Sequence, residues 1–150
     1  MTRSKFSGFA IAGLLAAGTM AVLAQDAFTA PATPEEAVEV RQAMMRENGG
    51  ILRSAAGLSG EEAITAMTTL RDNFSHIPDV FPENSIVGDS KALPAIWENW
   101  DDFTAIAESG LAAAESGLAA AEAGDMAAYT AAVQTIGGTC GQCHQQFRAE

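Results

Sequence analysis

The chain has 150 residues, 48% of them hydrophobic and 7% aromatic, which is enough for one domain with a modest core. Its formal charge at pH 7 is −11, so nucleic acids and anionic membrane surfaces, which bind basic patches, are disfavoured as partners. This acidity permits docking to a basic protein but is weak support for it, because acidic side chains commonly serve only to solvate a surface.

The N-terminus has the pattern of a secretory signal peptide. Arg3 and Lys5 precede an apolar run that closes on Val22-Leu23-Ala24, with small residues at the −3 and −1 positions of a cleavage site. An uncleaved membrane anchor is the alternative, because the run is nearly long enough to cross a bilayer. We predict a signal peptide over residues 1–24 and an exported, periplasmic domain over residues 25–150, with no membrane segment in its mature form.

Two helices are predicted in the first half of this domain. The segment Thr33-Pro34-Glu35-Glu36 is typical of a helix N-terminus with a capping box, and this helix continues to about Ala56. Ser59-Gly60-Glu61-Glu62 gives a second start of the same kind. The second helix ends before Pro78, and its apolar stripe consists of Ile64, Met67, Leu70, Phe74 and Ile77.

Two more helices follow a loop over residues 78–92. The third is predicted to begin between Ser90 and Pro94 and to end near Gly124, and a seven-residue repeat within it places Leu111 and Leu118 on one packing seam. The fourth begins at an Asp125 cap, and its apolar positions recur at helical spacing: Met126, Tyr129, Val133, Ile136, Cys140, Cys143 and Phe147. Four amphipathic helices with short links predict an all-α, antiparallel up-down-up-down bundle.

The last helix carries the segment Cys140-Gly141-Gln142-Cys143-His144, which is the C-x-x-C-H signature of covalent haem attachment. Two thiols at this spacing suit the two haem vinyl groups, and the next residue offers an imidazole to the iron. A thiol-redox motif is disfavoured because it leaves the histidine without a role. Zinc is disfavoured because only the distant His76 remains as a fourth ligand. The sequence therefore predicts one haem c, bound through Cys140 and Cys143 with His144 as metal ligand.

Six residues follow His144 in this sequence, and none of them is a plausible second axial ligand. Any sixth ligand is therefore expected from an earlier helix.

These features resemble the cytochrome c′ family, the class II cytochromes c, over essentially all of residues 25–150. Besides the haem motif, the resemblance rests on Arg41-Gln42 with Met45, Phe81-Pro82, Gly88-Asp89, Leu93-Pro94-Ala95-Ile96-Trp97 and the Phe147-Arg148 ending. It implies that the bundle encloses the haem, and that a first-helix side chain, here Met45, faces the iron opposite His144.

The resemblance also assigns the surrounding side chains. It implies that Arg41 and Gln42 contact the haem propionates, that Asp89 is a third residue of this kind, and that Arg148 lies beside the axial imidazole. From the residues alone, Arg41 could equally be a solvated arginine. Met45 could equally be a core filler.

Two functions follow from the resemblance, and they differ in the bond between Met45 and the iron. We favour a high-spin, pentacoordinate haem that binds nitric oxide or carbon monoxide in a small apolar pocket and also passes electrons. The alternative is a low-spin electron carrier in which Met45 is the sixth ligand. A peroxidase is disfavoured, because no acid–base group is predicted near Met45.

The expected partners are a gas ligand, an unidentified redox protein and, through the first two helices, a second copy of the chain.

Overall fold

The structure, a computed structural model, describes residues 28–150, so the predicted signal peptide at 1–24 lies outside the described residues. The described part is helical: α1 Pro34–Ala55, α2 Gly60–Ser75, α3 Ala95–Glu98, α4 Trp100–Ala123 and α5 Met126–Phe147, with a 3-10 turn at Pro78–Val80. Within residues 28–150, none of the helices combines the length and apolarity that crossing a bilayer requires.

The four long helices form the predicted four-helix bundle. α4 packs closely against α2 and α5, and α1 packs on α2 but makes few direct contacts with α5. At the end of the bundle away from the cysteines, the fully buried Tyr129 donates from its hydroxyl to the carbonyl of Ala55, over 3.0 Å. α1 and α5 are thus joined at one end and separated at the other.

Two of the predicted helix starts are confirmed by their capping bonds. Thr33 Oγ1 accepts from the Glu36 amide over 3.1 Å, and Asp125 Oδ1 accepts from the amides of Ala127 and Ala128. The capping role predicted for Ser59 is wrong, because its side chain makes no capping bond. The next residue, Gly60, has a φ of +55°, so the chain enters α2 at an angle unlike that of a capping box.

The third helix is not continuous as predicted. It is broken at Asn99, whose φ of −131° and ψ of 51° separate the short α3 from α4. The Ala95 carbonyl accepts from both the backbone amide and the side-chain amide of Asn99, each over 3.0 Å, which closes the last turn of α3. The break lets α3 and α4 differ in direction, and Ile96 from α3 joins the core.

Two glycines of the repeat bring α4 close to side chains of α2. Gly110 lies under the ring of Phe74, and Gly117 lies under the thioether of Met67. The repeat leucines Leu111 and Leu118 pack against the core but stay partly exposed. The seven-residue repeat therefore serves close packing mainly through the glycine that precedes each leucine.

The residues after α5 pair with the segment before α3. The Leu93 amide donates to the Phe147 carbonyl over 3.0 Å, and the Ala149 amide donates to the Lys91 carbonyl over 2.8 Å. These two bonds flank an antiparallel bridge between Ala92 and Arg148. They fix the C-terminal end of α5 against the segment before α3.

Candidate haem-binding site

A cavity of about 470 Å³ separates α1 from α5 at the end of the bundle where α5 ends. α5 contributes Cys140, Cys143 and His144 to its wall, and α1 contributes Arg41, Gln42 and Met45. The remaining wall is largely apolar and includes Leu52, Phe74, Ile77, Phe81, Ile96, Phe103, Ile106 and Phe147. A large apolar cavity with a few convergent polar groups is the usual form of a cofactor site.

The helical spacing of α5 places both cysteines at the cavity. Cys140 and Cys143 are free thiols that are partly buried. Burial raises the pKa of Cys140, and burial together with the charge of Cys140 raises the pKa of Cys143 to about 11. Burial at the cavity wall thus favours neutral sulfur at both positions.

His144 lies in the last turn of α5 and also lines the cavity. Partial burial and the nearby charge of Arg148 both lower its pKa. A lower pKa favours the neutral imidazole, which has the free lone pair that metal ligation requires. Arg148, which also lines the cavity, donates from its backbone amide to the His144 carbonyl over 3.2 Å.

Arg41 is a buried cation rather than a solvated surface residue, and only 4% of it is exposed. Its guanidinium donates to Ser85 Oγ over 2.9 Å, to the Ser85 carbonyl over 2.6 Å and to Ser90 Oγ over 2.5 Å. It also lies 4.8 Å from the centre of the Phe81 ring. Burial lowers its pKa, yet an arginine stays charged at neutral pH. All of these partners are uncharged.

Gln42 and Asp89 are joined by a hydrogen bond at the edge of the cavity. Gln42 lines the cavity, and its side-chain amide donates to Asp89 Oδ1 over 3.1 Å. Asp89 itself is exposed and does not line the cavity, whereas its neighbour Ser90 does. The structure therefore brings Asp89 to the edge of the site through Gln42.

The two adjacent methionines of α1 face different ways. Met44 is buried in the core and is absent from the cavity wall, whereas Met45 is partly exposed and lines the cavity. The cavity-lining residues Arg41, Met45, Asn48 and Leu52 follow one another at spacings of three or four, which is one face of α1.

Asn48 is a polar residue of the site that the sequence did not indicate. It is 4% exposed and lines the cavity one turn beyond Met45. The pocket beside Met45 is therefore not wholly apolar, contrary to the expectation for a gas-binding site. The helical spacing of Asn48 from Arg41 and Met45 was the one signal in the sequence that could have identified Asn48 as a residue of the site.

The zinc hypothesis needed His76, which lies elsewhere. Its ring stacks on Phe28 with centroids 3.9 Å apart, and its Nδ1 is 3.0 Å from Asp79 Oδ2. His76 does not line the cavity. Within residues 28–150, no group of three or more His, Cys, Asp and Glu side chains is arranged to hold a metal ion.

The residues present fit a haem. The cavity offers two thiols at the attachment spacing, a neutral imidazole beside them and a long apolar wall. At Arg41 it also offers a buried cation whose described partners are all neutral, and such a charge is costly unless an anion pairs with it. A haem bound here would supply that anion through its propionates. Fold and site together define a helical-bundle protein with a haem-attachment motif on its interior cavity.

Comparison with known proteins identifies the family. The family model described as cytochrome c′ matches residues 36–148, and the chain belongs to this family. It is 43% identical over 118 residues to cytochrome c-556 of Agrobacterium tumefaciens strain II Chrys, a match covering 74% of this chain and 95% of that protein. It is 30% identical over 148 residues to cytochrome c′ of Rhodospirillum rubrum, covering 93% and 97%.

The fold agrees with this assignment. The structure superposes on the crystal structure of cytochrome c′ from Rubrivivax gelatinosus with a TM-score of 0.71 and 25% identity, covering 79% of this chain and 99% of that one. The protein is therefore a four-helix-bundle haem protein of the cytochrome c′ family, and its two cysteines are consistent with covalent attachment.

Proposed function

We propose that this protein is a periplasmic c-type cytochrome whose single haem is bound through Cys140 and Cys143, with His144 as axial ligand. The observation that carries the proposal is the cavity between α1 and α5, where all three motif residues line one wall and Met45 lines another. The haem supplies redox and ligand-binding chemistry. The chain attaches it, supplies the axial imidazole and excludes water with an apolar wall.

The polar residues of α1 are proposed to orient the haem. Arg41 pairs with a propionate, and the Ser85 and Ser90 oxygens hold its guanidinium at the cavity wall. Gln42 acts at the same edge and is positioned by its bond to Asp89. On the opposite wall, Arg148 keeps a positive charge near His144, which favours the neutral imidazole.

We propose that the iron is high-spin and pentacoordinate, with Met45 beside the open position and not bonded to it. Such a site binds nitric oxide or carbon monoxide and also exchanges electrons with a redox partner. Two features favour an open position: Gly49 adds no side chain to the cavity wall next to Met45, and Asn48 places a polar group there. Within residues 28–150, His144 is the one histidine that lines the cavity, and it lies on the α5 wall rather than beside Met45, so the arrangement favours ligand binding over peroxidase chemistry.

The second candidate is a low-spin electron carrier in which Met45 Sδ is the sixth ligand. It is favoured by the place of Met45 on the cavity wall and by the similarities of the chain. The chain is 43% identical to a cytochrome c-556 but 30% identical to a cytochrome c′, so the properties of cytochromes c′ do not transfer automatically. Electron transfer is common to both candidates.

A homodimer through α1 and α2 is part of the proposal, as the family resemblance implies. A surface groove between these helices exposes parts of Ile51 and Leu58, which a second copy would cover. Export by the predicted signal peptide accounts for the periplasmic location.

The proposal is tested on the purified, mature protein. We expect a mass above that of the bare chain, a Soret band that survives acid-acetone extraction, and a ferrous spectrum with one broad visible band. A sharp, split visible band would instead establish the low-spin candidate. Absence of a Soret band together with the mass of the bare chain would contradict both.

Met45→Ala separates the two candidates by function. In the high-spin protein the substitution widens the approach to the iron, so carbon monoxide should bind faster while the resting spectrum hardly changes. In the low-spin protein it should convert the spectrum to high-spin and create carbon monoxide binding where none existed. Met44→Ala, at the adjacent core position, is the control and should change neither the resting spectrum nor the binding of carbon monoxide. A Met45 variant with unchanged spectrum and binding rate would show that Met45 does not face the iron.

A further inference from the structure

The orientation of the Asn48 amide is fixed by a short chain of hydrogen bonds between α1 and α2. Asn73 Nδ2 donates to Glu47 Oε2 over 2.9 Å and to Asn48 Oδ1 over 2.8 Å. Because a carboxylate only accepts, the Asn73 group facing Glu47 must be its amide nitrogen. The Asn48 group that meets this nitrogen must then be its carbonyl oxygen. The Asn48 nitrogen is therefore directed away from α2.

The Asn48 nitrogen faces the cavity. It donates no hydrogen bond to any residue that the structure describes. Among those residues, every side-chain nitrogen or oxygen that is fully buried has a hydrogen-bond partner. The nitrogen must therefore keep some accessible surface. Since Asn48 is 96% buried and lines the cavity beside Met45, the space available to this nitrogen is the cavity.

We propose that Asn48 is the hydrogen-bond donor of the ligand pocket, and that it binds the outer atom of a small diatomic ligand on the iron. This inference rests on the proposed open position beside Met45. A neutral N–H donor favours ligands whose outer atom gains negative charge on binding. It therefore makes the pocket more selective than a purely apolar one. Asn73 is the positioning residue, because it holds the donor in this direction.

The test compares the haem-loaded protein with its Asn48→Leu variant, which keeps the approximate size of the side chain but removes the donor. The C–O stretching frequency of the ferrous carbon monoxide complex should rise, because a hydrogen bond to oxygen weakens the C–O bond. Nitric oxide should dissociate about two- to tenfold faster, as expected for the loss of one net hydrogen bond.

A second variant leaves the cavity wall unchanged. Asn73→Ala frees the Asn48 amide to turn, so a second C–O band should appear at the frequency of the Asn48→Leu variant. Met44→Leu, a core substitution on the same helix that does not face the cavity, is the control and should leave the band in place.

The outcomes separate this inference from the proposed function. If the parent protein forms no carbon monoxide complex, both fail. If the complex forms but the C–O band and the nitric oxide dissociation rate are the same in the parent, Asn48→Leu and Asn73→Ala, the inference about Asn48 fails and the open haem site stands.

Discussion

Gly110→Ala should destabilise the protein by about 1–3 kcal/mol, although alanine is the better helix former. A Cβ at this position would lie 2.1 Å from Phe74 Cε1 and 2.5 Å from Phe74 Cδ1, which is far inside contact distance. The Phe74 ring is buried and lines the haem cavity, so it can relieve the clash by moving into that cavity, toward the haem. We expect a lower denaturation midpoint by circular dichroism and a perturbed haem absorption spectrum.

Gly137→Ala is the matched control. Gly137 lies in the interior of α5, and a Cβ added there would have no neighbour within 4 Å. This substitution should stabilise the protein by about 0.5–1 kcal/mol, because it removes the backbone entropy cost of a helical glycine. If Gly110→Ala stabilised the protein to the same extent, the close packing of α2 on α4 at Phe74 would be disproved.

Arg41→Met should destabilise the haem-loaded protein by about 3–5 kcal/mol, since it leaves a buried propionate without its cation. The same substitution should have a much smaller effect in a haem-free chain carrying serines at 140 and 143, where the described partners of Arg41 are neutral hydroxyl and carbonyl groups. Guanidinium denaturation of both forms measures the difference. The reduction potential should also fall, because a cation near the haem favours the reduced state.

Arg53→Met controls for loss of a positive charge on α1. Arg53 is exposed in the last turn of the helix and does not line the cavity. Its substitution should cost less than about 1 kcal/mol in either form, as for other charges at a helix end. If Arg41→Met lowered the free energy of unfolding by the same amount with and without haem, the pairing of Arg41 with a propionate would be ruled out.

The parts of the fold that follow from local rules were predictable from sequence. The Thr33 and Asp125 caps act on amides two or three residues away, and the spacing of α5 alone places Cys140 and Cys143 toward the interior. The haem motif is likewise contiguous. Such features need no knowledge of the rest of the chain.

The features that the residues alone left open or did not indicate depend on distant contacts. The burial of Arg41 depends on Ser85 and Ser90, which are 44 and 49 residues away in a loop without a recognisable pattern. The orientation of Asn48 depends on Asn73 of α2 in the same way. The break at Asn99 has a different cause: an asparagine in a helical pattern is a weak signal, because asparagine is tolerated both within helices and at their ends.

The pairing of residues 91–93 with residues 147–149 bears on how the iron can move. His144 lies within one turn of the Phe147 carbonyl that accepts from Leu93, so a shift of the imidazole along the axis of α5 would strain that bond and the Ala149 bond beyond it. With the proposed ligation by His144, a displacement of the metal on ligand binding would therefore be resisted by a loop more than 50 residues earlier in the chain. That loop also contains Ser90, a partner of Arg41, so the side chains proposed to hold the iron and the propionates would share one mechanical support.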